Sequence, residues 1–118
     1  MNAKWICPAI TPFHRDGTID FESAGRLYDH LAANDMDGVL IGGSLGEFFG
    51  QTLAQREALA RFATERIAGR MKVIIGTANM IAEEIAPLSN TCLEAGADAV
   101  MIVPPFYFSF GDSEMYRF

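Results

Sequence analysis

Lysine is scarce in this sequence. Of nine basic residues only Lys4 and Lys72 are lysines, no Lys/Arg cluster forms, and the formal charge is −6 over 118 residues. A chain so acidic, without a basic stripe, is not built for nucleic acid or for an anionic membrane surface. Cysteine is scarce too. Cys7 and Cys92 stand far apart with no histidine at ligand spacing, which indicates neither a zinc site nor a disulfide framework and reads as two reduced, buried thiols. No apolar run approaches the roughly 20 residues needed to cross a bilayer. The first ten residues, broken by Pro8, lack the apolar stretch of a signal peptide, so a cytoplasmic protein is expected. What is present is ordinary for a globular chain: half of the residues are apolar and 20% are charged, enough for one modest core.

The stretch around which the rest is arranged is Gly42-Gly43-Ser44-Leu45-Gly46-Glu47. It follows the apolar run Gly38–Ile41 and precedes a strong helix signal. Glycines after a strand let backbone N–H groups approach a small anion, although such glycines are more often turn residues only. The loop ends in Glu47 where a phosphate cradle needs Lys and then Ser or Thr, so a nucleotide is disfavoured. The dinucleotide fingerprint fails on glycine spacing. A small carboxylate held by Ser44 and neighbouring amides remains chemically reasonable.

Taken in order, residues 5–10 read as a buried strand with a long exit through Thr11-Pro12-Phe13. Asp20 is a plausible N-cap for a helix carrying Ala24, Leu27, Tyr28 and Leu31 on one face and ending near Asn34. After the second strand, Gly38–Ile41, Thr52 followed by Gln55 is a capping-box pattern. The helix it opens buries Leu59, Phe62, Ala63 and Ile67, and Gly69 is the expected left-handed C-cap. Residues 73–75 form a third strand leading to Gly76-Thr77. The next helix buries Ile85, Leu88, Cys92 and Ala95; Pro87 means that it either starts only a few residues earlier or is kinked there. Gly96 closes it. Residues 99–103 are a fourth strand, stopped by Pro104-Pro105, and Asp112 or Ser113 opens a further helix. Met36, Met71, Met80 and Met101 read as core or near-core filler.

A weak repeat of near 30 residues, one strand and one helix, runs through the chain. Strands apolar on both faces and alternating with helices mean a parallel sheet covered by helices. That connectivity brings Thr11, Ser44, Thr77 and Tyr107, each just past a strand, to one edge of the sheet, where α/β folds bind ligands. Taken singly each hydroxyl is as easily a loop cap. His14 and His30 read as solvated, Asp35 and Asp37 as flanking a turn on the opposite edge, and Glu47 as a loop or ion-pair residue before a base.

Thr11-Pro12-Phe13, Gly-Gly-Ser-Leu-Gly-Glu, Gly76-Thr77 and Pro104-Pro105-Phe106-Tyr107, in that order and spacing, resemble the dihydrodipicolinate synthase and N-acetylneuraminate lyase family. The resemblance implies one partial domain over residues 1–118: parallel (β/α) units forming the N-terminal half, about four strands, of a (β/α)8 TIM barrel. It implies a lyase or aldolase that joins pyruvate or a related 2-oxo acid to a lysine as a Schiff base and makes or breaks a carbon–carbon bond, with no cofactor or metal. Small-molecule partners, a 2-oxo acid and an aldehyde, and a homo-oligomer follow from the same likeness. By position, Ser44 matches the proton-relaying, carboxylate-holding hydroxyl, and Tyr107 the tyrosine that crosses a dimer contact. Thr11 and Leu45 match substrate-binding positions. Leu45 stands where many members carry a second Thr or Ser and retains only its N–H; Gly46-Glu47-Phe48 is more like the sugar-acid aldolases. The family's Schiff-base lysine and second tyrosine lie on later strands, and Lys4 and Lys72, both at strand starts, do not replace them. A non-catalytic carboxylate-binding or inactive truncated half-barrel is the competing expectation.

Overall fold

The structure, a computed structural model, describes residues 3–104, 109 and 111–117. Four strands, β1 (Ile6–Pro8), β2 (Gly38–Ile41), β3 (Lys72–Gly76) and β4 (Ala99–Met101), form one sheet in the order β1-β2-β3-β4, every neighbouring pair parallel. Between them lie the helices α1 (Phe21–Ala33), α2 (Leu53–Ile67) and α3 (Ile85–Glu94), and a short α4 (Asp112–Arg117) follows β4.

Strand alternation divides the sheet into two faces. Val39 and Ile41 of β2 and Val73 and Ile75 of β3 are buried in one cluster with Ala24 and Tyr28 of α1, Leu59, Ala63 and Ile67 of α2, and Leu88 and Cys92 of α3. Leu40 and Ile74, paired across the ladder, fall on the other face and outside that cluster. Burying Leu59, Ile67, Val39 and Cys92 at 1% exposure or less contributes on the order of 1.5–3 kcal/mol for each of the aliphatic side chains.

Local signals set the helix ends. Asp20 accepts from the Ser23 amide at 2.9 Å and from its hydroxyl at 2.6 Å, and these bonds, hydroxyl first, hold the Asp20 carboxyl below its usual pKa. Thr52 and Gln55 complete the reciprocal box, Thr52 N–H donating to Gln55 Oε1 at 2.9 Å and Gln55 N–H to Thr52 Oγ1 at 3.2 Å. Pro87 is the third residue of α3. A single 3-10 turn, Ala82–Glu84, leads into α3, so the proline falls in the first helical turn where no amide partner is required.

Some expectations change. The fourth strand covers only Ala99–Met101 and not 99–103, because its ladder with β3 ends at the Gly76–Met101 pair. The first strand covers only Ile6–Pro8, and Trp5 and Ile6 are 69% and 42% exposed, because among the described residues β1 pairs on one side only and Pro8 offers no amide to a second neighbour. The left-handed cap of α2 is Ala68 (φ 47°), with Gly69 (φ 79°) following it. Cys7, in that edge strand, is half-buried while Cys92 is fully buried. Met80 is 63% exposed, since it sits in the connection after β3 and not on a helix face.

Candidate functional site

The parallel register places every strand-to-helix connection on one edge. There β2 and β3 touch through backbone alone: a Cβ on Gly76 would lie 2.3 Å from the Gly42 carbonyl oxygen. Gly42 itself turns with φ +67°, a conformation nearly reserved for glycine. The loop then closes through Gly46 N–H to Gly43 C=O (3.0 Å) and Glu47 N–H to Ser44 C=O (3.1 Å). Ser44 and Leu45 form its exposed tip, Leu45 at 59%. Their two amides donate to no acceptor among the described residues. Glu47 leaves the loop in the left-handed region at φ 56°, a strain of roughly 1 kcal/mol or more that functional loops commonly carry.

Thr11 reaches this loop from the exit of β1. It is 6% exposed, and its Oγ1 accepts from Gln51 Nε2 at 3.2 Å, while the same nitrogen donates to the Gly46 carbonyl at 2.6 Å. Thr11, Ser44 and Leu45 are therefore brought to one edge, as expected. Thr77 is not a member of the group. It is fully buried and accepts the Ser89 hydroxyl at 2.8 Å, because it continues the parity of Val73 and Ile75 and so faces α3. That alternation was available in the sequence. Tyr107, with Phe106 and Phe108, lies outside the described residues.

Two residues of this edge carry no motif. Gln51 is one. Arg56 is the other: only 6% exposed, it donates from Nη2 to the Gly76 carbonyl at 2.9 Å, its Cζ lies 5.4 Å from the centre of the Phe48 ring, and its Nε has no partner among the described residues. Burial lowers its pKa, and Cys92 and Glu84 act against that shift. It backs a cleft of about 580 Å³ between the connections after β2 and β3, lined by Phe48, Phe49, Met80, Ile81 and Glu84 among others. None of Thr11, Ser44 and Leu45 lines that cleft. No local pattern marks Gln51 or Arg56 in the sequence, since each has a partner in a chain segment 20 or more residues away, Thr11 for Gln51 and Gly76 for Arg56.

The opposite edge is structural. Lys72 starts β3 and pairs with Asp98 at 2.6 Å. Asp37 accepts from the Lys4 and Trp5 amides, each at 2.8 Å. His14 and His30 are exposed. Among the described residues no His/Cys/Asp/Glu group has metal-site geometry, and no helix is long and apolar enough to cross a membrane.

Sequential parallel β/α units with their glycine and hydroxyl loops on one edge are half of a (β/α)8 barrel. The model of the Dihydrodipicolinate synthetase family matches residues 1–118, and the chain belongs to that family. It is 35% identical over 118 residues to the 4-hydroxy-tetrahydrodipicolinate synthase of Bacillus velezensis, covering 99% of this chain and 41% of that protein. To the N-acetylneuraminate lyase of Citrobacter koseri it is 36% identical over 112 residues, covering 94% and 38%. The crystal structure of YagE from E. coli K12, a prophage protein of the dihydrodipicolinic acid synthase family solved in complex with pyruvate, superposes with a TM-score of 0.93, at 33% identity, over 99% of this chain and 39% of that one. The chain thus spans about two fifths of the length of these relatives.

Proposed function

We propose that this chain supplies the carboxylate-binding half of a Schiff-base lyase, an aldolase that makes or breaks a carbon–carbon bond of pyruvate or a related 2-oxo acid. The observation that carries this reading is the loop tip. Two amides without an acceptor among the described residues, Ser44 and Leu45, stand beside a hydroxyl at the ligand edge of a sheet whose family includes a pyruvate-bound member. In this reading the amides and Ser44 hold the carboxylate and Ser44 relays the proton that moves when the bond to the second substrate forms or breaks. Thr11 lines the same seat from β1. Tyr107 contributes from across a contact between copies of a homo-oligomer. Leu45 brings an apolar side chain to the position facing the aldehyde, in keeping with a sugar-acid aldolase rather than a synthase that needs a second hydroxyl there.

The electron sink for this chemistry is an iminium formed by a lysine. Lys72 is paired with Asp98 at the far end of β3, separated from the loops by a strand length of roughly 15 Å. Lys4 precedes β1 on that same edge. The nucleophile therefore belongs to a further part of the barrel, and these 118 residues alone bind without turning over, which is the second reading this placement favours. Borohydride reduction with pyruvate, read by mass spectrometry, tests both. The full-length gene product is expected to gain one reduced pyruvate adduct and the isolated 118 residues none. A stoichiometric adduct on the isolated segment overturns the assignment, because Lys4 or Lys72 would have to reach the site.

A further inference from the structure

We infer that Gln51 is the positioning residue of the 2-oxo acid seat: its side-chain amide ties the Ser44 loop to the exit of β1 and so sets the two amides and the hydroxyl that meet the carboxylate. This rests on the reading of that loop given above. Gln51 stands immediately before the N-cap of α2, half-buried, and its Nε2 bonds the Gly46 carbonyl at 2.6 Å and, 40 residues back in sequence, Thr11 Oγ1 at 3.2 Å. The orientation of the amide follows from chemistry. A backbone carbonyl only accepts, so turning Oε1 toward Gly46 would set two acceptors against each other. Because Thr11 Oγ1 accepts from Gln51, the threonine's own proton is directed away from Gln51 and is free to donate.

Gly46 is the residue whose amide closes the turn onto Gly43. Holding its carbonyl from outside therefore anchors the end of the turn whose tip carries the Ser44 and Leu45 N–H groups. Gly46 is itself closely packed: a Cβ there would lie 3.1 Å from the Gly42 nitrogen and 3.2 Å from Thr11 Oγ1. Other side chains do not serve at position 51. Asn is one methylene short, Glu has no N–H to give, and Met keeps the length but not the donor.

The test uses the full-length gene product with Gln51→Met and Gln51→Glu, each followed by pyruvate titration of borohydride trapping and by thermal melting. For Gln51→Met the half-saturating pyruvate concentration is expected to rise about tenfold, the effect of losing hydrogen bonds that orient an anion seat. The trapped fraction at saturating pyruvate is expected to return to the wild-type value. Gln51→Glu is expected to raise it further, since a carboxylate would then face the Gly46 carbonyl and oppose the substrate's charge. If the Met variant does not fold, the near-isosteric Glu variant carries the comparison. Half-saturation within twofold of wild type in the folded variants overturns the inference, whatever the melting temperature does, because a merely structural glutamine would move only the latter. Failure of the wild-type protein itself to form an adduct is a different result: it removes the 2-oxo acid reading and this inference with it.

Discussion

Gly76→Ala is the sharpest test of how the sheet positions its loop. The added methyl carbon would sit 2.3 Å from the Gly42 carbonyl oxygen, 2.8 Å from its carbon and 3.2 Å from the Gly43 nitrogen, about 0.7 Å inside the 3.0 Å limit of observed approaches. All three atoms are backbone. No rotamer change relieves the overlap, so β2 and β3 must separate where Gly42 begins the loop. Overpacking of this kind costs typically 1–3 kcal/mol when side chains can adjust, and here about 3 kcal/mol or more is expected, a fall in melting temperature on the order of 10 °C. Gly50→Ala is the matched control: nothing lies within 4 Å of its added Cβ and its φ is not left-handed, so a change between zero and a gain of roughly 1 kcal/mol is expected. Thermal melts of both variants in the full-length gene product, with pyruvate titration of imine trapping, read the two effects. Melting of Gly76→Ala within 2 °C of wild type, roughly the resolution of such a comparison, or an equal loss in Gly50→Ala, would refute the contact argument.

Three further outcomes are expected. Ser44→Ala in the full-length gene product slows turnover by roughly 10²–10⁴, the usual effect of losing a proton-transfer group, measured as kcat with pyruvate saturating; an unchanged kcat removes Ser44 from the relay. Thr52→Ala breaks the capping box and destabilises by about 1 kcal/mol, read as a shift of the urea midpoint at constant slope. For Asp98, the Lys72 ammonium first and the Val73 amide second hold the carboxyl below its ordinary 3.8. A depressed folded-state pKa means stability present above that value and lost as pH falls through the folded pKa. Asp98→Asn is therefore expected to cost up to about 1 kcal/mol near neutral pH, given the exposure of Lys72, and the difference from wild type should close only below pH 3.8. A difference that closes near neutrality would contradict the pairing.

Where local chemistry determines structure, the residues were readable. The Asp20 cap and the Thr52–Gln55 box define their helices in sequence and in space alike, and Gly38–Ile41 is a strand to the residue. Pro87 was ambiguous because the same proline suits a first turn or a kink, and only the preceding 3-10 turn decides. Trp5 and Ile6 look like core and are exposed, since hydrophobicity reports an intended partner and not whether one is in place. At the site, Ser44 and Leu45 were found from the loop they occupy, whereas Thr77 needed its parity with Val73 and Ile75. Gln51 and Arg56 were invisible: a polar residue near a helix start is ordinary, and the Thr11 hydroxyl and the Gly76 carbonyl that give these two their meaning are brought near only by folding.

The strand order has a kinetic consequence. Cys7 pairs with Val39, Val39 with Val73 and Ile75 with Val100, so each closure spans between about 25 and 34 residues, and their entropic costs differ by only about 0.3 kcal/mol. Loop length thus selects no first pairing; burial does. The β2–β3 ladder is the longest of the three and its residues are the most buried, which makes it the natural nucleus onto which a unit adds from either side. Native-state hydrogen exchange should find the slowest amides in these two strands and the fastest in β1; protection greatest in β1 would place the nucleus at the edge instead.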